Sequence, residues 1–293
     1  MTEVAAPAAI AAAIGPGRVV SGTSVADLLA ATALPDVPAL MQALLPAAQA
    51  LARPPISQFR VGAVGRAAGT GDLILGANVE FPGGTTADTI HAEQFLFTRA
   101  FGLGVTLDLI TVSARPCGHC RQFMNEFAGS ERLTILDPEA GPLGLAAMLP
   151  WRFGPTDLGM AAADPAARLP LVLLEDRVIA EAALLEALLE AGARAHAPYG
   201  GAPSAIALRL TDGTILTGSA IENAAYNPGM PPLQAALITL VAQGRDYGEI
   251  ETALLGQLPG AAFDHAATSA RLLSIIAPGA SLETLSWQPR ASS

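Results

Sequence analysis

Two cysteines occur in the 293 residues, Cys117 and Cys120, and His91-Ala92-Glu93 lies a short way upstream. A histidine nitrogen and two thiolates fill three tetrahedral positions around a zinc ion and leave the fourth to water. Glu93, one residue removed from the histidine, is a carboxylate suited to carrying a proton to and from that water. The site is therefore open and chemical in character. A Cys-x-x-Cys pair alone also fits a redox couple or half of a structural zinc site. A structural site needs a fourth protein ligand. His119 lies between the cysteines, where its ring tends to point away from the metal, and the isolated His196 and His265 read as surface or packing histidines.

These ligands need elements to hold them. The apolar spacing from His91 to Phe101 predicts a helix with Asp88 or Thr89 as its N-cap, which puts His91 and Glu93 in a first turn. Leu107 to Ser113 reads as a buried strand, and Pro116 with Gly118 turns it into a second helix carrying Arg121 to Phe127. The two cysteines share one face at the start of that helix. Two helix N-termini aimed at one ion favour thiolate over thiol.

Upstream, Phe59–Gly65 and Leu73–Val79 read as strands around the hairpin signal Gly69-Thr-Gly-Asp. With Leu133–Leu136 they predict a mixed sheet with helices on its faces. Asn78 and Glu80 stand two apart at a strand end and face the same way. An amide beside a carboxylate can serve vicinal hydroxyls, and it can equally be a solvated strand end. Phe59 by default belongs to the core. Residues 1 to 50, broken by Pro35 and Pro38, read as a small helical arm with a packing role. The prolines and glycines of 138–175 predict a long connection, followed by a surface helix over Glu181–Ala191.

The second half repeats the first. A shift of 142 residues brings Gly71 onto Gly213, Gly76 onto Gly218, Glu80 onto Glu222 and Gly102 onto Gly244, with Leu73 on Ile215 and Val79 on Ile221. At that shift His91 falls on Leu233 and Glu93 on Ala235, and no cysteine follows Cys120, so the copy cannot hold zinc this way.

Composition narrows the function. The formal net charge of -10 opposes a polyanionic partner, so no nucleic acid is expected. All 16 basic residues are arginine, and the absence of lysine excludes Schiff-base and P-loop lysine chemistry. The chain is 51% hydrophobic, yet no apolar run reaches the roughly 20 residues that span a bilayer. No membrane association is expected, and no signal peptide is legible in Met1 to Pro7. Cysteines committed to metal agree with a cytoplasmic location.

His-x-Glu joined to Pro-Cys-x-x-Cys is the signature of the zinc deaminases. Phe59-Arg-Val-Gly-Ala-Val, Gly76-Ala-Asn-Val-Glu, His91-Ala-Glu-Gln and Pro116-Cys-Gly-His-Cys-Arg-Gln-Phe-Met-Asn-Glu together resemble the long-chain, homodimeric bacterial type of cytidine deaminase. The resemblance continues through Arg152-Phe-Gly-Pro-Thr-Asp-Leu and Glu222-Asn-Ala-Ala-Tyr-Asn-Pro, and only the first few dozen residues lack it.

That resemblance implies a duplicated three-layer α/β/α fold with mixed central sheets and a small N-terminal helical arm. The expected division is 1–50 for the arm, 51–156 for the catalytic domain, 157–178 for a linker and 179–293 for the zinc-less copy. The reaction implied is hydrolytic deamination of cytidine and deoxycytidine in pyrimidine salvage. One Zn2+ per chain would be held by His91, Cys117 and Cys120, with Glu93 carrying the protons. Asn78 and Glu80 would bind the ribose of a nucleoside and Phe59 would pack on the base. Phe153 and Ala225 would reach the partner's pocket in a homodimer with shared sites. Glu80 and a lack of basic residues near the pocket speak against a phosphorylated substrate. The competing readings are a deoxycytidylate or guanine deaminase, and a zinc-stabilised binding protein without catalysis.

Overall fold

The computed structural model describes residues 5–174 and 181–290. The helices α1 (Ala5–Ala13), α2 (Gly22–Thr32) and α3 (Val37–Ala50) come first, with a short strand β1 (Val19–Val20) between α1 and α2. The Asp36 carboxylate caps α3 by accepting from Ala39 N, and Pro38 sits in its first turn, where a missing N–H does no harm.

β2 (Gly62–Ala67) and β3 (Leu73–Ala77) form the expected hairpin, followed by α4 (Ala92–Gly102), β4 (Leu107–Val112), α5 (Gly118–Met124) and β5 (Thr134–Asp137). Proline-rich 138–175 is more than a connection. It contains β6 (Gly141–Gly144), α6 (Leu145–Met148) and β7 (Leu171–Leu173). Pro142 is tolerated because β6 is an edge strand, with one side free of ladder bonds. The expected linker end at 178 and the domain start at 179 lie outside the described residues. The second half carries α7 (Ala182–Ala193), β8 (Ala205–Leu210), β9 (Ile215–Ser219), α8 (Pro232–Ala242), β10 (Ile250–Gln257), α9 (His265–Ile276) and β11 (Ser281–Pro289).

The described residues form two sheets, in the orders β1-β3-β2-β4-β5-β6 and β7-β11-β10-β8-β9. Both are mixed, with the parallel pairs β4–β5 and β10–β11 at equivalent places. Helix α3 packs on one face of the first sheet through Leu40, Met41 and Leu44 against Val64, Leu75 and Leu109, with Val25 and Leu28 of α2 in the same cluster. In the second repeat α7 takes the matching position through Leu184 and Leu188, against Leu254 and Trp287. Between the sheets one continuous core joins the repeats, with Phe95 and Leu96 of α4 and Leu237 and Ile238 of α8 in the same cluster. Because α4 lies between its sheet and α8, every residue from Ala92 to Phe101 is buried.

The repeated glycines have a physical cause. A Cβ at Gly76 would stand 2.8 Å from Ala92 O, and one at Gly218 would stand 2.2 Å from Ala236 N. Each glycine lets the helix that follows lie directly on its strand. The shift of 142 does not persist, however. Val79 bridges Ile90 while Ile221 bridges Met230, so the loop before α8 is two residues shorter than the loop before α4. Beyond it the correspondence is 140: His91 matches Pro231 as the N-cap, Glu93 matches Leu233, and Gly104 (φ +79) matches Gly244 (φ +72). The sequence pairings of His91 with Leu233, Glu93 with Ala235 and Gly102 with Gly244 are corrected accordingly.

No single helix among the described residues is long and apolar enough to cross a membrane. The pair α2 and α3 passes by composition, but it is bent by 92°.

Candidate active site

The N-terminus of α4 presents His91. The N-cap is His91 itself rather than Asp88 or Thr89, and its N–H donates to Gln94 Oε1 at 3.1 Å. Asp88 instead closes a short 3-10 turn and accepts from Thr85 N at 2.6 Å. The N-cap of α5 is Cys117, and Cys120 follows in its first turn. Neither helix therefore places its metal donor in mid-helix, and both N-termini converge.

His91 Nδ1 lies 3.5 Å from Cys117 Sγ and 3.3 Å from Cys120 Sγ. The three donor atoms all lie within 4.8 Å of one another. His119 stays out of this group, and its Nε2 meets Gln94 Nε2 at 3.2 Å. The Cys117 thiol is held down to about 3, first by the Cys120 S–H and then by the His91 ring. Cys120 is pushed the opposite way, by the Cys117 sulfur first and by burial next. Two neighbouring sulfurs resist ionising together unless a cation sits between them. Soft donors in that state fit zinc.

Glu93 is 4% exposed, and burial pushes its carboxyl up against the pull of its own backbone amide and of His91. It opens onto a cavity of about 260 Å³ whose lining includes His91, Cys117, Phe59, Asn78 and Glu80. Asn78 Oδ1 accepts from Val61 N at 2.9 Å and its Nδ2 donates to Phe59 O at 2.8 Å, so the amide holds the chain that carries the Phe59 ring. Phe59 is 61% exposed and is no core residue. Glu80 Oε2 accepts from Ile56 N at 2.8 Å and from Ser57 N at 2.9 Å. Burial raises the Glu80 carboxyl, but the Ser57 and Ile56 bonds outweigh it and the net shift is downward.

Arg115 also lines this cavity, which corrects the expectation that no basic residue stands near it. Its Nε and Nη2 donate to Asp137 at 2.9 and 3.0 Å, and Nη2 reaches Glu139 at 2.9 Å. The charge is thus answered by two carboxylates. Local sequence carries no signal for that pairing, because β5 brings Asp137 alongside.

Phe153 and Ala225 do not line the cavity. Each is tied to α5 indirectly: Gln122 Nε2 donates to Phe153 O at 2.8 Å and to Asn223 Oδ1 at 3.3 Å, and Asn223 Oδ1 accepts from Ala225 N at 2.9 Å. Behind them lies Glu126, fully buried. Its Oε1 accepts from Tyr199 OH at 2.6 Å and meets His196 Nε2 at 2.8 Å, while Oε2 accepts from Ala224 N at 2.8 Å. His196 is therefore more than an ordinary packing residue.

Residues 36–136 match the model of the cytidine and deoxycytidylate deaminase zinc-binding region, and residues 145–270 match a second model of the same description. A cytidine deaminase of Klebsiella pneumoniae is 44% identical over 243 residues, covering 81% of this chain and 79% of that one. The chain belongs to the cytidine deaminase family. Among solved structures, the cytidine deaminase from Mycobacterium leprae is 31% identical and covers 38% of this chain and 94% of that one, with a TM-score of 0.34. The cytidine deaminase from Mycobacterium tuberculosis is 29% identical over 39% of this chain and 95% of that one, with a TM-score of 0.35. As in its family's zinc-binding region, this deaminase has a Zn2+ site, formed by His91, Cys117 and Cys120.

Proposed function

We propose that the chain is a zinc-dependent hydrolase that deaminates cytidine and deoxycytidine, giving uridine or deoxyuridine and ammonia. The observation that carries this reading is the convergence of His91, Cys117 and Cys120 on one point beside buried Glu93, in a cavity that also holds Phe59 and Glu80. Bound zinc supplies an activated water near neutral pH. Glu93 takes one proton of that water and passes it to ring N3 as the water oxygen bonds to C4. It then takes the remaining proton of that oxygen and delivers it to the amine nitrogen, so that the C4–N bond breaks to release ammonia and C4 becomes a carbonyl. The raised proton affinity of Glu93, caused by burial, suits a group that must both take and give a proton.

The Phe59 ring packs on the base, and Asn78 sets its position through the backbone of 59–61. With Oε2 of Glu80 held by two amides, Oε1 is the oxygen for a sugar hydroxyl. Arg115 is neutralised by Asp137 and Glu139, so nothing here compensates a phosphate, and a nucleoside fits better than a nucleotide. The enzyme works in the cytoplasm as a homodimer with shared sites, Phe153 and Ala225 being delivered to the partner's cavity. The common tie of both segments to Gln122, through Phe153 O and Asn223, and the full exposure of neighbouring Trp151 support this.

The test follows cytidine absorbance on zinc-loaded protein, then after the metal is removed and restored. Loss of the cytidine band that depends on zinc and on Glu93 supports the reading, and persistence of cytidine and deoxycytidine with zinc bound refutes it. For the shared sites, a Glu93→Gln chain mixed with a Phe153→Ala chain should recover part of the activity, and no recovery argues for sites within one chain.

A further inference from the structure

The second repeat keeps a cavity of about 620 Å³, more than twice the volume of the one at Glu93. It occupies the place of the lost metal site. Glu222 lines it in the same cradle as Glu80: Oε2 accepts from Tyr199 N and Gly200 N, both at 2.8 Å. Gln234 is the counterpart of Gln94, but the N-cap before it is Pro231, which has no N–H. The partner that Gln94 finds in His91 N is therefore gone. Gln234 is 7% exposed, lines the cavity, and its side-chain amide has no hydrogen-bond partner among the described residues. The amide reaches the open cavity, where a ligand offering both an acceptor and a donor can pair with it.

The rings of Tyr226 and Phe263, 6.0 Å apart between centroids and tilted by 68°, line the same cavity and each offers it an apolar surface. The carboxylates facing it are Glu222, Asp264 and Asp88, the last paired with Arg271, and among the described residues no free arginine lines it to invite a phosphate. Catalytic groups are missing. Leu233 stands for Glu93, Pro231 for His91, and at the start of α9 Asp264 and Ala267 stand where α5 has Cys117 and Cys120.

We propose that this cavity is a second binding site that holds an intact neutral nucleoside, with Glu222 on the sugar hydroxyls, Gln234 on the base edge and Tyr226 with Phe263 against the ring. The assignment rests on the sugar-binding reading of Glu80. Equilibrium dialysis of labelled uridine against the zinc-loaded enzyme tests it. The expected result is two uridines per chain, falling to one in Gln234→Leu while cytidine turnover, which also reports correct folding, is unchanged. One uridine per chain, lost in Glu80→Ala and unaffected by Gln234→Leu, overturns this proposal and leaves the catalytic reading standing. One uridine per chain lost in Gln234→Leu and unaffected by Glu80→Ala does the reverse, and no bound uridine overturns both.

Discussion

Arg271 Nη2 donates to both carboxylate oxygens of Asp88, at 2.6 and 2.8 Å, and so ties the loop that leads into His91 to the last helix of the second repeat. Burial raises the Asp88 carboxyl, but the Arg271 and Thr85 bonds outweigh it and its folded pKa lies below the ordinary value. A depressed carboxyl contributes stability that is complete above the unfolded value of about 3.9 and is lost as pH falls through the folded one. Asp88→Asn should lower stability by about 1–3 kcal/mol at pH 7. The gap between wild-type and variant melting temperatures should close as the pH falls below about 4. A gap that stays constant with pH would assign the loss to packing instead.

Glu93→Gln should keep one zinc per chain and lose roughly a hundred- to ten-thousand-fold in turnover, since the amide cannot carry a proton. Metal analysis beside the cytidine assay separates this from a folding defect. Near-normal turnover with zinc bound would remove Glu93 from the mechanism.

Cys120→Ala should abolish stable zinc binding, because two remaining ligands cannot complete the site. Zinc content of the purified variant, measured with a chromogenic chelator after denaturation, should fall well below that of wild type, and added metal should not restore activity. Wild-type zinc content in this variant would show that the ion is held elsewhere.

Gly218→Ala should destabilise more than Gly76→Ala. The new Cβ meets Ala236 N at 2.2 Å and Pro232 O at 2.3 Å, both backbone atoms, and α8 must move off its strand. A loss of about 1–3 kcal/mol or more is expected in denaturant melts. Equal midpoints for the two variants would mean that the helix shifts freely.

Glu126→Ala leaves the Tyr199 hydroxyl, the His196 ring and the Ala224 N–H without their common acceptor. A cost of about 2 kcal/mol or more is expected for the buried orphans. Hydrogen exchange should quicken at 223–226 before it does in the sheets. Unchanged exchange there would show that other contacts hold the loop.

Much of the first repeat was legible because its signals are local. The strand over Leu73–Ala77, the helix after His91 and the turn into α5 follow from short periodicities and from Pro116 and Gly118. The N-cap was misplaced because Asp88 looks like a cap in sequence, and its carboxylate is drawn away by an arginine 183 positions later. Proline density hid β6, since sequence does not say which strand will be an edge. The drift of the repeat from 142 to 140 was hidden because glycines at both Gly102 and Gly104 could be aligned with Gly244.

The sequence by itself determined the chemistry: a His-x-Glu and a Cys-x-x-Cys admit few uses, and their donor types select zinc, water and a proton carrier. It also determined that the second half repeats the first without a metal. The tertiary structure alone decided that Arg115 is neutralised, that Glu126 holds the 223–225 segment, and that Pro231 leaves Gln234 facing a cavity. Each of these depends on how an element's neighbours are packed around a buried polar group. Folding sets those distances, and no periodicity along the chain records them.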